Sequence, residues 1–298
     1  MKSYLEATAR ERIEAVFDAA SFREFLPPER RVVSPHLAQL DAPVSFDDGV
    51  AVGAALLGGV KVFAAAQEGG FMGGAVGEVH GAKLVGMLRA AVQHRAAAVV
   101  LLLESGGVRL HEANAGLIAV SEVMRAVLDA RAAGIPVLAL VGGANGCFGG
   151  MGIVARCANV VIMSDEARLG MSGPEVIETA SGVEDFDAQD RALVWRTTGG
   201  KHRTLMGDSA LLVDDDTAAF RQAALDMLAQ LRTQPAELTM AALEAEQQML
   251  AGRLEHFGGA DDALDIWTAL GVPAPRQVPM LDAASFMRLA ASHGAGGA

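Results

Sequence analysis

Cysteine is nearly absent from this chain of 298 residues, which holds only Cys147 and Cys157. Two thiols cannot staple a chain of this size, and no metal-ligand spacing accompanies them. A disulfide framework and a cysteine-based metal centre are therefore excluded as organising devices, and a reduced, cytoplasmic protein is expected. Long apolar runs are missing as well. No stretch approaches eighteen uninterrupted apolar residues, so no membrane span is expected. The first twenty residues, MKSYLEATARERIEAVFDAA, are charged and helix-periodic, unlike a secretory signal. Basic charge is in deficit: 24 Lys and Arg face 36 Asp and Glu, a formal net charge of −12, with no block of five or more acids. That disfavours nucleic acid, whose phosphates reward a basic surface. Aromatic residues make up only 5% of the chain, while Ala, Gly and Val are abundant, as in closely packed α/β layers.

Familiar phosphate and nucleophile signatures are also lacking. No G-x-G-x-x-G follows a strand, no G-x-x-x-x-G-K-[ST] occurs, and T-G-G-K-H-R around Lys201 matches neither in full. G-x-S-x-G is absent too, which argues against a serine hydrolase of that type.

What is present is a regular alternation. Residues 1–26 read as one or two short amphipathic helices stopped by Pro27-Pro28, and residues 44–67 as two strands around a glycine turn. A helix over 81–95 precedes the short apolar run AVVLLL at 98–103, which fits a strand covered on both faces. A helix over 112–132, a strand over 135–141 and another over 160–163 follow; residues 174–198 read helical, and 217–254 as one or two helices broken near Pro235. The tail, HGAGGA, is expected to fray. Strand, helix, strand at this interval implies parallel crossovers in a layered α/β fold. The expected organisation is a single domain over 1–298 with its core at about 30–216, N-terminal helices in 1–29 and a C-terminal helical extension in 217–298.

Two of the buried strands end in a Gly-Gly step. LLLESGGVR carries Gly106 and Gly107; PVLALV runs into GGANGCFGGMG, which carries Gly149 and Gly150. A backbone N–H can reach a developing oxyanion only where no side chain blocks the approach, and glycine removes that obstacle. Gly149-Gly150 could also open a helix, whose positive end adds to the field. The same glycines could instead serve only tight turns and close packing.

The order of FMGGAVG (71–77), SGGVRLHE (105–112), the glycine-rich segment to 152 and SGPEVIE (172–178) resembles the carboxyltransferase family of the crotonase superfamily. ARERIE and FDAASFRE near the start are similar to that family's opening, and the resemblance covers roughly 9–216. It implies a crotonase-like spiral of ββα units. Chain length and the ANGCFGG variant look most like the beta subunits of the malonate decarboxylase branch. There is no four-cysteine zinc ribbon, as bacterial acetyl-CoA carboxylase beta subunits carry, and there is length for only one crotonase-like domain.

The resemblance implies decarboxylation of a malonyl thioester on an acyl-carrier protein, giving the acetyl thioester and CO₂ through an enolate. The oxyanion-hole N–H groups are then Gly107 and Gly150, with Gly106 and Gly149 permitting approach, and Phe71, Met72, Gly73, Gly74, Met151 and Gly173 lining the substrate. No cofactor or metal is expected on this chain; the acyl group rides the carrier's phosphopantetheine-type arm. Implied partners are a homologous gamma-type carboxyltransferase subunit completing a shared site, the acyl-carrier protein and an acyl-carrier transferase subunit. The alternatives are carboxyl transfer through biotin, as in biotin-dependent decarboxylases and acyl-CoA carboxylases, and a non-catalytic scaffold half.

The proton donor to the enolate stays open: His111 and His80 are candidates, but a lone histidine is more often a surface or packed residue than a catalyst. Cys147 reads as a small buried thiol, Arg109 and Glu112 as a local pair holding their loop, and Asp214–Asp216 as a solvated turn with Asp216 capping the next helix.

Overall fold

The structure, a computed structural model, describes residues 2–234 and 239–294. Its centre is a seven-stranded sheet in which spatial order equals chain order: β1 (Arg23–Glu24), β2 (Val50–Leu57), β3 (Val60–Gln67), β4 (Val99–Leu103), β5 (Val137–Val141), β6 (Val160–Ser164) and β7 (Leu211–Val213). β1, β2 and β3 pair antiparallel, and β3 through β7 pair parallel. The β2–β3 turn uses Gly58 and Gly59, both at positive φ, which a two-residue hairpin demands.

Twelve α-helices lie among the described residues: α1 (Ala9–Val16), α2 (Pro35–Gln39), α3 (Glu78–Gln93), α4 (Asn114–Ala132), α5 (Gly149–Cys157), α6 (Pro174–Ser181), α7 (Arg191–Thr198), α8 (Gly200–Leu205), α9 (Thr217–Thr233), α10 (Met240–Phe257), α11 (Ala263–Ala269) and α12 (Ala283–His293). Parallel crossovers share one hand, so a sheet filled strictly in chain order receives its crossover helices on a single face. α3, α4 and α5 accordingly pack on one face, against Val99, Leu101, Leu103, Val137, Ala139 and Val141. The alternate residues Val100, Leu102, Leu138 and Leu140 point to the other face.

That second face is covered from the two ends of the chain. Ile13, Val16 and Phe17 in and after α1, and Phe220, Leu228 and Leu231 of α9, are buried there. Each such side chain contributes about 2 kcal/mol on burial, so the two helices together supply as much as the net stability of an ordinary domain. The core therefore reaches beyond 30–216: α1 and α9 are buried in the same cluster as the strand residues of this face. A separate cluster around Trp267 and Phe286 joins α8, β7, α11 and α12.

Other expectations also shift. Residues 2–26 hold one helix, closed at its start by a Thr8–Glu11 capping box, and then the short strand β1. The helical reading of 174–198 divides into α6 and α7; Gly182 at φ 99° ends the first and Asp190 caps the second. α9 and α10 are separate helices, but Pro235 and residues 295–298 of the tail lie outside the described residues. Asp216 holds the N-cap position of α9 without a side-chain cap bond. Asp214–Asp216 are not simply a solvated turn, because Asp215 accepts from the Tyr4 and Leu5 N–H groups at 2.9 and 2.8 Å and ties down the N-terminus.

Candidate active site

The loops after β3, β4 and β5 meet beyond the C-terminal edge of the parallel strands. They are stitched by backbone bonds: the Ser105 N–H donates to the Gly146 carbonyl and the Phe148 N–H to the Ser105 carbonyl, both at 2.8 Å. The Gly106 N–H donates to the Gly73 carbonyl at 2.8 Å, and the Val76 N–H to the Gly107 carbonyl at 2.9 Å. Short bridges Val76–Val108, Ser105–Cys147 and Cys147–Leu169 extend this second layer.

The two Gly-Gly steps come together. A Cβ on Gly149 would lie 2.9 Å from the Gly107 Cα, so backbone packs on backbone there, with Gly149 at φ 59° and Gly107 at φ 127°. Their four N–H groups differ. Gly106 is committed to Gly73, and Gly149 donates to the Met171 carbonyl at 3.0 Å. The Gly107 N–H is held by the Ser105 hydroxyl at 3.1 Å. Gly150 is the second residue of α5, in the first turn, where helix geometry supplies no intrahelical acceptor.

Several expected roles change in detail. A Cβ on Gly150 would stand 2.3 Å from Val120 Cγ1, so its missing side chain makes room for α4, not for a ligand. Gly149 likewise makes room for Gly107, whereas Gly106 is exposed and meets only the Gly73 carbonyl at 3.4 Å. Met151 is fully buried in the core with Val154 and Ala155, so it does not line a substrate surface. Its spacing with those two residues was the available signal. Phe71, Met72 and Gly73 are half-buried on the turn beside Gly106, and Gly74, buried, packs on the Glu104 carbonyl. Gly173 caps α6 beside Met171. A cleft of about 460 Å³ runs along α5, lined by Ile153, Arg156, Leu169, Met171, Arg203 and Leu250.

Behind the first glycine loop lies a buried ionic cluster. Arg109 Nη1 donates to Asp48 Oδ2 at 2.9 Å and to Glu112 Oε1 at 2.8 Å, and Nη2 reaches the carbonyls of Asp48 and Ala75. The expected Arg109–Glu112 pair is therefore present, with Asp48 as an unforeseen third member. Burial pushes the Glu112 carboxyl up, but bonds from the Glu78 N–H and the Arg109 guanidinium hold it below the usual range. The Arg109 guanidinium also lies over the Phe71 ring, 5.4 Å from its centroid.

His80 is not placed as a proton donor. His80 is buried, with Nδ1 donating to the Asp48 carbonyl at 3.0 Å and Nε2 3.1 Å from the Gln67 amide nitrogen, from which it accepts. Burial, aided by Arg109, lowers its pKa to about 3, so it is neutral and both ring nitrogens are engaged. His111 is exposed on a 3₁₀ turn, Leu110–Glu112. The Cys147 thiol is buried and pushed up to about 12, an inert packed group. Among the described residues no cluster of three or more His, Cys, Asp or Glu could hold a metal.

The profile of the carboxyl transferase domain matches residues 6–251. This chain belongs to the carboxyl transferase domain family. It is 46% identical over 235 residues to the malonyl-S-ACP:biotin-protein carboxyltransferase MADC of Malonomonas rubra, covering 74% of each chain. It superposes on a Pseudomonas malonate decarboxylase hetero-tetramer solved with malonate, at TM-score 0.81 and 37% identity over 97% of both chains. The transcarboxylase 12S structure, at 26% identity and TM-score 0.63, is matched over 74% of this chain but 40% of that one. The mixed α/β architecture is thus the crotonase-like fold of the family's carboxyltransferases.

Four residues at or behind the family's glycine loops went unread in the sequence as parts of the site: Arg12, Asp48, Glu104 and Asn145. Glu104 carried one signal, an acid directly at the end of a wholly apolar strand.

Proposed function

We infer that this chain is the beta-type subunit of a malonate decarboxylase, acting on a malonyl group held as a thioester on an acyl-carrier protein. The observation that carries the reading is the meeting of the two Gly-Gly loops at the start of α5, in a chain that aligns end to end with a malonate decarboxylase structure. Loss of CO₂ leaves an electron pair that delocalises onto the thioester oxygen as an enolate. The Gly150 N–H, at the positive end of α5, and the Gly107 N–H, exchanging the Ser105 hydroxyl for the oxyanion, would stabilise that charge. One such donor is worth about 3 kcal/mol in the transition state. The departing carboxylate needs no base, in keeping with a buried, engaged His80. The enolate's proton then comes from a group other than His80: solvent, the exposed His111 or the partner.

The acyl group would arrive on the carrier's phosphopantetheine-type arm, this chain binding no cofactor. A gamma-type carboxyltransferase subunit would complete the site, in line with the hetero-dimer and hetero-tetramer of the Pseudomonas relatives; the carrier protein and its transferase would complete the complex. No described helix is long and apolar enough to cross a membrane, and we place the complex in the cytoplasm. Coverage of one sheet from both chain ends supports reading 1–298 as a single domain.

The name of the Malonomonas relative favours a second reading, carboxyl transfer from the malonyl thioester to biotin. The experiment is CO₂ release from malonyl-S-carrier by the chain co-purified with its partner, with and without avidin. Release that avidin leaves untouched is expected; avidin-blocked release would move the assignment to the biotin route, and no release would refute direct decarboxylation.

A further inference from the structure

We propose that Arg12, Glu104 and Asn145 form a positioning relay that sets the two glycine loops against each other, giving the N-terminal helix control of the site's geometry. Glu104 immediately precedes Ser105-Gly106-Gly107, and its carboxylate is shared between two distant segments. Oε1 accepts from both the backbone N–H and the side-chain amide of Asn145, each at 3.0 Å. Oε2 pairs with Arg12 Nη1 at 2.5 Å. The side chains of Arg12 and Glu104 are only 2% and 6% exposed, so solvent does not dilute the interaction.

Arg12 is itself fixed in direction. Its Nε donates to the Tyr4 carbonyl at 2.9 Å, Nη2 to the Leu5 carbonyl at 3.2 Å, and the guanidinium lies 4.8 Å from the Tyr4 ring centroid. From the strand side, the Glu104 N–H donates to Gln67 Oε1 at 3.2 Å. The backbone around the carboxylate has been cleared for it: a Cβ on Gly69 or on Gly143 would come within 2.3 Å of the Glu104 carboxyl carbon. Gly143 is thus a glycine of the second cluster whose purpose is to admit a side chain of the first.

A buried ion pair is a weak source of net stability compared with apolar packing, yet it is strongly directional. Here the direction matters, because Asn145 sits within the Gly143–Gly146 turn that leads to Gly149 and Gly150 beside Gly107. A small misplacement of donors at a reacting centre costs rate without costing substrate affinity.

The inference rests on the decarboxylase reading, and its test separates the two. In the full complex with partner and carrier, Asn145→Ala removes one bond from an exposed loop residue. The expected result is normal assembly, kcat lowered roughly tenfold and KM for the carrier thioester changed less than about twofold. Glu104→Gln, which keeps an acceptor for Asn145 but strands Arg12, should lower kcat further. Hydrogen exchange of the amides in 142–150 should rise in Asn145→Ala while those of α3 stay as in the parent. Parental kcat in Asn145→Ala, or a loss that lies wholly in KM, would overturn the relay. If the parent complex releases no CO₂, the function fails and exchange alone decides: faster exchange in 142–150 supports the relay and unchanged exchange refutes it.

Discussion

Gly150→Ala separates a catalytic first turn of α5 from a merely structural one. The new methyl would stand 2.3 Å from Val120 Cγ1 and 3.2 Å from Val120 Cβ and Cγ2. Carbon atoms pack best at about 3.5–4.0 Å, so the shortfall exceeds roughly 1 Å. Val120 is 3% exposed and lies inside α4, where a β-branched side chain has one favoured rotamer and cannot swing away. α5 must therefore move, by about 1 Å, away from α4. Overpacking of this kind costs about 1–3 kcal/mol, a fall in Tm on the order of 5 °C for a chain of this length. The N–H of residue 150 survives chemically but is displaced, and decarboxylation should fall about 100-fold. Adding Val120→Ala removes the offending methyls and leaves only the 3.2 Å contact, so the double variant should recover most of the rate, the non-additive behaviour of touching residues. The assay is CO₂ release by the assembled complex alongside its melting curve. Parental turnover in Gly150→Ala with a lowered Tm would refute the reasoning and favour a scaffold role for this chain.

Other outcomes follow from the buried charges and core. His80 and His202 are both held at about 3, mainly by burial, against an ordinary 6.5. The unfolded chain takes up their protons below 6.5 and the native chain does not until about 3, so stability is full above 6.5 and is lost as pH falls through that window. The slope should reach about 1.4 kcal/mol per pH unit for each histidine, and urea unfolding at pH 8, 6 and 5 reads it; His202→Gln should remove one histidine's share. Arg109→Ala strands the Asp48 and Glu112 carboxylates and should cost about 3–5 kcal/mol by urea unfolding, a loss below 1 kcal/mol contradicting the buried cluster. Met151→Leu conserves volume in the core and should leave KM for the carrier thioester unchanged; a raised KM would return Met151 to the substrate surface. With the thiol of Cys147 at about 12 and buried, alkylation of the native complex near pH 8 should leave it unmodified by mass spectrometry until the chain is unfolded.

Short-range pattern alone determined much of this protein. The all-apolar runs at 99–103 and 137–141, the periodicity of α3 and α4, and the Gly58-Gly59 turn are local matters, because strand and helix periods are set by neighbours a few residues apart. The two Gly-Gly steps were equally visible, and their order along the chain pointed to the family. Tertiary structure alone decided which way each glycine's missing side chain faces: Gly150 toward Val120, Gly149 toward Gly107, Gly143 toward Glu104. It alone decided that α1 and α9 cover the second face of the sheet, a consequence of crossovers that all fall on the first. And it alone joined Arg12 to Glu104, 92 residues apart, and Arg109 to Asp48, 61 apart. Ion pairs at that separation leave no periodic trace in a sequence, since what brings their partners together is the packing of whole elements and not the spacing of residues.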